Sequence, residues 1–295
     1  MSALYLLIII FGISVQGVFK KSYSLKTGNL GVFTFTTVTV MTACIFFMVK
    51  AGFKFNFDAE ILPYAIAFAA AYCAASIFGF LAILHGPLSL TSLATSYSLL
   101  IPTFWGILFE GDETSVWLYL GIALLAASLV FINLKDKKPA EANGESESSG
   151  AKITLKWVIF AMTALVTNGV CSTVQPAQTE KFGGKYDAVF MVIALAMVSL
   201  FLLVFILFKE RGEIIPSVKC GAHLMVLCGI ANGLVNLFVM IASAVIPNSV
   251  MFPLISAGGI VLTWLISVFL YKEKLSVKQN IGLVLGIISI VFLNL

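Results

Sequence analysis

The chain has 295 residues, of which 60% are hydrophobic and 11% charged, where an ordinary soluble domain carries roughly 25% charged residues. That balance excludes a soluble globular protein. The net charge of +4 comes from Lys and Arg lying between apolar runs rather than over one face, so a nucleic-acid footprint is excluded as well.

The apolar runs have about the ~20 residues that cross a bilayer core. In chain order they predict spans at 2–19, 29–50, 60–84, 88–109, 115–134, 154–178, 187–208, 217–245, 248–271 and 277–294. Only helices and closed barrels satisfy the backbone in hydrocarbon, and runs this long without alternation are helices. The fold class is therefore all-α and polytopic, with ten transmembrane helices. The first run lacks a basic leader and is followed by Lys20 and Lys21 instead of a small-residue cleavage site, so it reads as a span and not as a signal peptide. Short turns such as His85-Gly86-Pro87 and Pro247-Asn248 make their flanking spans antiparallel neighbours.

The segment 135–152, KDKKPAEANGESESSGAK, has no aromatic or β-branched residue to bury. It reads as a flexible polar linker, either a tether or a recognition segment, dividing the chain into a first five-helix unit at 1–134 and a second at 153–295. The two units resemble each other. At an offset of 161, residues 115–134 align without a gap on 276–295, with nine identities that include Gly121/Gly282, Ser128/Ser289 and Asn133/Asn294. At an offset of 152, Gln16-Gly17-Val18 meets Asn168-Gly169-Val170. An odd number of spans per unit makes the second unit enter the membrane from the opposite side. Inverted repeats of this kind place a shared site near the midplane and allow alternating access to it.

The acidic ends of spans four and nine, followed by a glycine-bearing helix in FEGDETSVWLYLG and LYKEKLSVKQNIG, resemble the EamA-type ten-span family of the drug/metabolite transporter superfamily. The resemblance covers essentially the whole chain. It implies export or exchange of small metabolites such as amino acids, or of drugs, through a cavity between the halves. Small four-span relatives rely on a carboxylate in their first helix; the first span here has Gln16 and no acid, so that proton-coupled mechanism is not carried over.

A charge at the bilayer centre costs at least about 2.5–3.5 kcal/mol on insertion scales, so a mid-span ionisable group would mark a pathway. None lies there. What remains is neutral polarity: Gln16, Tyr72, Ser76, Ser92, Ser96, Tyr97, Asn168, Asn232, Asn236 and Ser256, with Gly258 and Gly259 set by the repeat against Tyr97 and Ser98. Each Ser can equally bond its own helix or a neighbouring one. Asn232 and Asn236, four apart, share a helix face that must point into the protein. Glu273 reads as a gate or a structural cap. Pro102 should bend span four and free a carbonyl. His85 and His223 have no second ligand at metal spacing, the five cysteines show no CxxC pair, and no phosphate-binding loop occurs, so no cofactor or metal is expected.

The expected partners are a small neutral or zwitterionic solute and the lipid bilayer, in a bacterial plasma membrane. Alternate loops carry fourteen basic residues on the linker side and four on the other. The positive-inside rule then puts the linker in the cytoplasm and both termini outside, whereas the resembled family has cytoplasmic termini. A sensor with a transporter fold is the alternative function. A membrane enzyme would need a cluster of acid, base and nucleophile that is not present in the sequence.

Overall fold

A computed structural model describes residues 2–28, 30–85, 97–111, 115–133, 155–271 and 277–292. Ser92, Ser96, Glu273, the linker and most of the 85–87 turn lie outside them. The described residues are helical, with no strand. The elements are α1 (Ser2–Thr27), α2 (Val32–Lys50), a 3-10 turn (Ala59–Ile61) leading into α3 (Leu62–His85), α4 (Leu100–Trp105) continued by a π-turn (Gly106–Glu110), and α5 (Val116–Asn133). After the linker come α6 (Leu155–Phe182), α7 (Asp187–Lys209), α8 (Ile214–Ser243), α9 (Asn248–Tyr271) and α10 (Val277–Phe292). Among the described residues six stretches are long and apolar enough to cross a bilayer: α1, α2, the 59–79 stretch, α6, α7 and α8. The chain is thus an α-helical integral membrane protein.

Two helices run past the ends expected from hydropathy. α1 continues to Thr27 instead of stopping near residue 19, because its last turns are held by the protein and not by lipid. Tyr23 is buried against Phe35, Met225 and Cys228, its hydroxyl donates to the Leu30 carbonyl at 2.7 Å, and its ring lies where a Cβ on Gly221 would sit. α6 continues to Phe182 instead of 178. Its terminator is the left-handed pair Gly183-Gly184, with the Gly184 amide donating to the Thr179 carbonyl at 2.9 Å. α8 is displaced three residues upstream at its start, to Ile214.

α4 is broken where Pro102 dictates. Tyr97 is helical, Ser98 and Leu99 form a turn, and the helix resumes at Leu100. Proline cannot bond the carbonyl four residues back; the Ser98 carbonyl instead accepts from the Ile101 amide at 3.1 Å, and the Leu99 carbonyl accepts from the Thr103 hydroxyl at 2.9 Å.

The largest core joins α2, α3 and α7, where Phe47, Phe68, Phe190, Leu195 and Leu202 are fully buried. α8 packs on α2 through Gly229 and Gly233, four apart, which receive Thr42 and Phe46 where a side chain would otherwise project. Several extensive helix pairings come in couples, α1 with α8 and α6 with α3, α2 with α8 and α7 with α3, α1 with α9 and α6 with α4, while α9 with α10 stands without one among the described residues. The remaining extensive contacts include α2 with α7, α4 with α9 and α5 with α10.

Candidate functional site

α2 begins at Gly31, in the left-handed conformation (φ 57°) and without a side chain to cap the helix. The four orphan amides of a helix start must find acceptors, and here the α7–α8 turn supplies them. Glu213 accepts from the Gly31 amide at 2.8 Å. Glu210 accepts from the Phe33 amide at 3.0 Å, the Thr34 amide at 2.8 Å and the Thr34 hydroxyl at 2.9 Å. Two carboxylates on the positive end of a helix are placed favourably, and they tie the first half of the chain to the second at the end nearest the linker. On the opposite end an exposed ion pair, Lys181 to Glu60 at 3.0 Å, joins the halves.

Between these ends lies a chain of neutral amides. The Asn236 Nδ2 donates to the Asn232 side-chain oxygen at 3.2 Å and its carbonyl at 2.9 Å. Asn232 Nδ2 donates across to Gln16 Oε1 at 3.2 Å, and Gln16 Nε2 donates back to the Gly12 carbonyl at 3.3 Å. Gln175 Nε2 donates to the Asn236 carbonyl at 3.0 Å. The Tyr72 side chain lies against Asn232, with its ring stacked on Phe68 at 5.7 Å. Five polar side chains from α1, α3, α6 and α8 therefore form one site, with no charged group among them. Glycine makes the approach possible, since a Cβ on Gly12 would run into Val235 of α8.

The other residues marked in the sequence fall elsewhere. Asn168 on α6 donates to Ser98 Oγ at 2.6 Å in the break of α4, and one residue further on Gly169 receives Ile101. The Tyr97 hydroxyl donates to the Ala126 carbonyl at 3.2 Å, binding α4 to α5. Gly258 receives Ile10 of α1, and Gly259 is buried in α9. Ser256 is 6% exposed and its hydroxyl has no partner among the described residues; Ser76 is half-buried on α3. The amide chain thus takes in Gln16, Tyr72, Asn232 and Asn236, while Asn168 and Tyr97 serve a second junction around α4.

Sequence reading passed over Gln175, Gln178 and Asp187. Gln175, 4% exposed, was detectable as an uncharged polar residue inside an apolar run, next to Pro176. Asp187 opens α7, accepts from the Thr179 hydroxyl at 3.0 Å and lies beside Gln178. Gln178 is fully buried, and apart from its contact with Asp187 neither of its amide atoms finds a hydrogen-bond partner among the described residues. Thr179 also lines an open cleft of about 430 Å³ with Glu180, Gly183 and the 243–248 segment. The cleft lies at the end of the molecule opposite the Glu210 contacts.

Among the described residues no group of three or more His, Cys, Asp or Glu could hold a metal ion. The five cysteines are free thiols, and Cys44 and Cys171 point their sulfurs at the backbone carbonyls of Val192 and Phe68.

No family model matches the chain, and no curated protein matches it. Solved structures do share its fold. One of them, a crystal structure of a protein, matches with a TM-score of 0.71 at 15% identity, over 99% of this chain and 95% of that one. At that identity the likeness concerns the fold alone.

Proposed function

We propose that the chain is a secondary transporter of the EamA type, with ten spans in two inverted five-helix repeats, carrying a small neutral or zwitterionic metabolite such as an amino acid by alternating access. The observation that carries the reading is a reciprocal pair of hydrogen bonds. Ser128 Oγ of α5 donates to the Gly282 carbonyl of α10 at 2.5 Å, and Ser289 Oγ of α10 donates to the Gly121 carbonyl of α5 at 2.9 Å. Each residue is its partner's equivalent at the repeat offset of 161. Two duplicated halves related by a two-fold axis have to make such contacts in exchanged pairs.

Most of the extensive helix pairings support the same axis. Replacing α1 by α6, α2 by α7 and so on turns α1–α8 into α6–α3, α2–α8 into α7–α3 and α1–α9 into α6–α4, and turns α2–α7, α4–α9 and α5–α10 into themselves; α9–α10 has no such counterpart among the described residues. Five helices per repeat then invert the second half, an arrangement that suits alternating access. The halves are not copies at the amide site. By the same offset Asn232 and Asn236 correspond to Ala71 and Ala75, so the second half brings Asn232, Asn236 and Gln175 and the first half brings Gln16 and Tyr72. A site of amides and a phenol offers donors and acceptors to a polar solute without fixed charge, which disfavours phosphorylated cargo. The linker side is cytoplasmic in this reading and the membrane is a bacterial plasma membrane.

A thermal-shift screen of purified protein against a metabolite panel tests the proposal. Stabilisation by neutral or zwitterionic solutes, abolished in Asn232→Ala, is expected. Stabilisation by sugar phosphates or nucleotides alone would overturn the cargo class. Membrane-impermeant labelling of tags at both termini in intact cells is expected to succeed at both, and failure at both would reverse the orientation.

A further inference from the structure

We infer that the 51–58 segment is a membrane-interface anchor, in which Phe53, Phe55 and Phe57 insert among the lipid headgroups and upper acyl chains while Lys54, Asn56 and Asp58 face water. α2 has 19 residues, a length of about 28 Å at 1.5 Å per residue, close to the ~30 Å hydrocarbon core. Lys50 therefore leaves the core at headgroup depth, and α3 re-enters it from Leu62. The segment between them is held at the interface from both ends.

Its composition does not suit a loop that lies only in water. The three phenylalanines are 63%, 42% and 43% exposed, and they alternate with Lys54, Asn56 and Asp58. Residues 54–58 contain neither helix nor turn, and Asp58 is extended (ψ 139°). Over 54–58, which lacks helix and turn, alternate side chains point to opposite sides, which puts Phe55 and Phe57 on one edge and Lys54, Asn56 and Asp58 on the other. Phe53 is the one non-glycine residue with positive φ (56°) among the described residues, a disfavoured conformation for an aromatic residue. It follows Gly52, also left-handed, and together they turn the chain sharply off the end of α2.

The neighbours indicate that the occupant is lipid. The spans that the segment joins also expose apolar residues at the ends next to it in sequence, Ile45 and Val49 on α2 and Ile66 on α3. On the same side of the molecule, Lys181 lies over the rings of Tyr64 and Phe182, and Lys185 lies over Tyr186. Amphipathic aromatics mixed with lysines are what headgroup depth selects. The corresponding turn of the second half, 210–213, is four residues long, carries no aromatic residue and is occupied with the amides of α2. At the repeat offset of 161, residues 51–58 correspond to 212–219, most of which is the first part of α8, so the first half has an irregular aromatic segment where the second half has helix.

The inference rests on the bilayer-spanning fold and not on transport. Nitroxide labels at Phe53→Cys, Lys54→Cys, Phe55→Cys, Asn56→Cys and Phe57→Cys, one at a time in full-length protein reconstituted into phosphatidylglycerol-containing bilayers, test it. The parent chain taken through the same labelling serves as the blank for the native cysteines. Relaxation by lipid-soluble oxygen should dominate at 53, 55 and 57, and relaxation by a water-soluble nickel chelate at 54 and 56. Nickel dominance at all five positions would place the loop in water and overturn the proposal. Exclusion of both relaxants together with dipolar broadening between labels would overturn it in favour of a second copy of the chain. A protein that moves no solute yet gives the alternating profile would separate failure of the transport reading from failure of this one.

Discussion

Replacing Glu210 by alanine is expected to loosen the end of the molecule nearest the linker more than any other single charge removal among the described residues. The side chain accepts from two amides and one hydroxyl of the α2 start, and Gly31 has no side chain to take its place. A hydrogen bond to a charged group contributes about 1.5–3 kcal/mol when buried, and Glu210 is half-buried, so competition from water brings the sum for Glu210→Ala to about 2–3 kcal/mol. Glu210→Gln keeps one acceptor oxygen but aims an amide group at a backbone N–H, and should lose about half of that. Denaturant unfolding in a fixed detergent gives the stability difference.

A second readout separates local opening from global loss. Ser217 is fully buried beneath Gly31, so Ser217→Cys should react slowly with a water-soluble maleimide. If the contact at Glu210 holds this end closed, 2 kcal/mol lost should speed that labelling by roughly 30-fold, at tenfold for every 1.4 kcal/mol. A stability change under about 0.5 kcal/mol, the range of an ordinary surface substitution, together with unchanged labelling, would refute the reasoning.

Ser128→Ala and Ser289→Ala should each cost about 0.5–1.5 kcal/mol by denaturant unfolding, because each removes one buried bond of the reciprocal pair; a large effect from one and none from the other would contradict the two-fold relation. Asn232→Ala leaves Gln16 Oε1 without its donor and takes from the Asn236 amide one of its two acceptors, and should destabilise by about 1–3 kcal/mol while abolishing ligand-induced thermal shifts. Gly229→Ala forces a Cβ against Thr42 and the Thr39 carbonyl and should cost about 1–3 kcal/mol as overpacking between α2 and α8, read from unfolding midpoints. Glu60→Ala, at an ion pair whose side chains are 65% and 45% exposed, should change stability by less than about 1 kcal/mol in the same assay.

Hydropathy located the helices well, and it failed at their ends for a physical reason. The expected stop of α1 at residue 19 followed the charges Lys20 and Lys21, but charges end the lipid-facing part of a helix, not its backbone hydrogen bonds. Gly28, with φ 62°, is what ends α1. Pro102 was readable because proline acts through its own ring and the carbonyl four residues back, both fixed by local sequence. The shared face of Asn232 and Asn236 was readable from helical periodicity for the same reason. Their bond to Gln16, 216 residues away, was not, because no local rule sets which helices become neighbours.

Glu210 was invisible for a further reason. Outside the bilayer a carboxylate in a polar turn carries no signal of its own, and its importance comes from a helix start in the other half that lacks a cap. The likeness of α5 to α10, in contrast, was legible in sequence because the identical pairs there, Gly121 with Gly282 and Ser128 with Ser289, are residues that bond across the contact between those two helices.

Counterflow in proteoliposomes tests the transport reading most directly. Vesicles preloaded with one unlabelled metabolite of a neutral and zwitterionic panel should accumulate the same solute in labelled form from outside, saturably and in both directions, and Asn232→Ala should remove that uptake while the protein remains folded. Folded, membrane-inserted protein that exchanges no member of the panel in either direction would contradict the account.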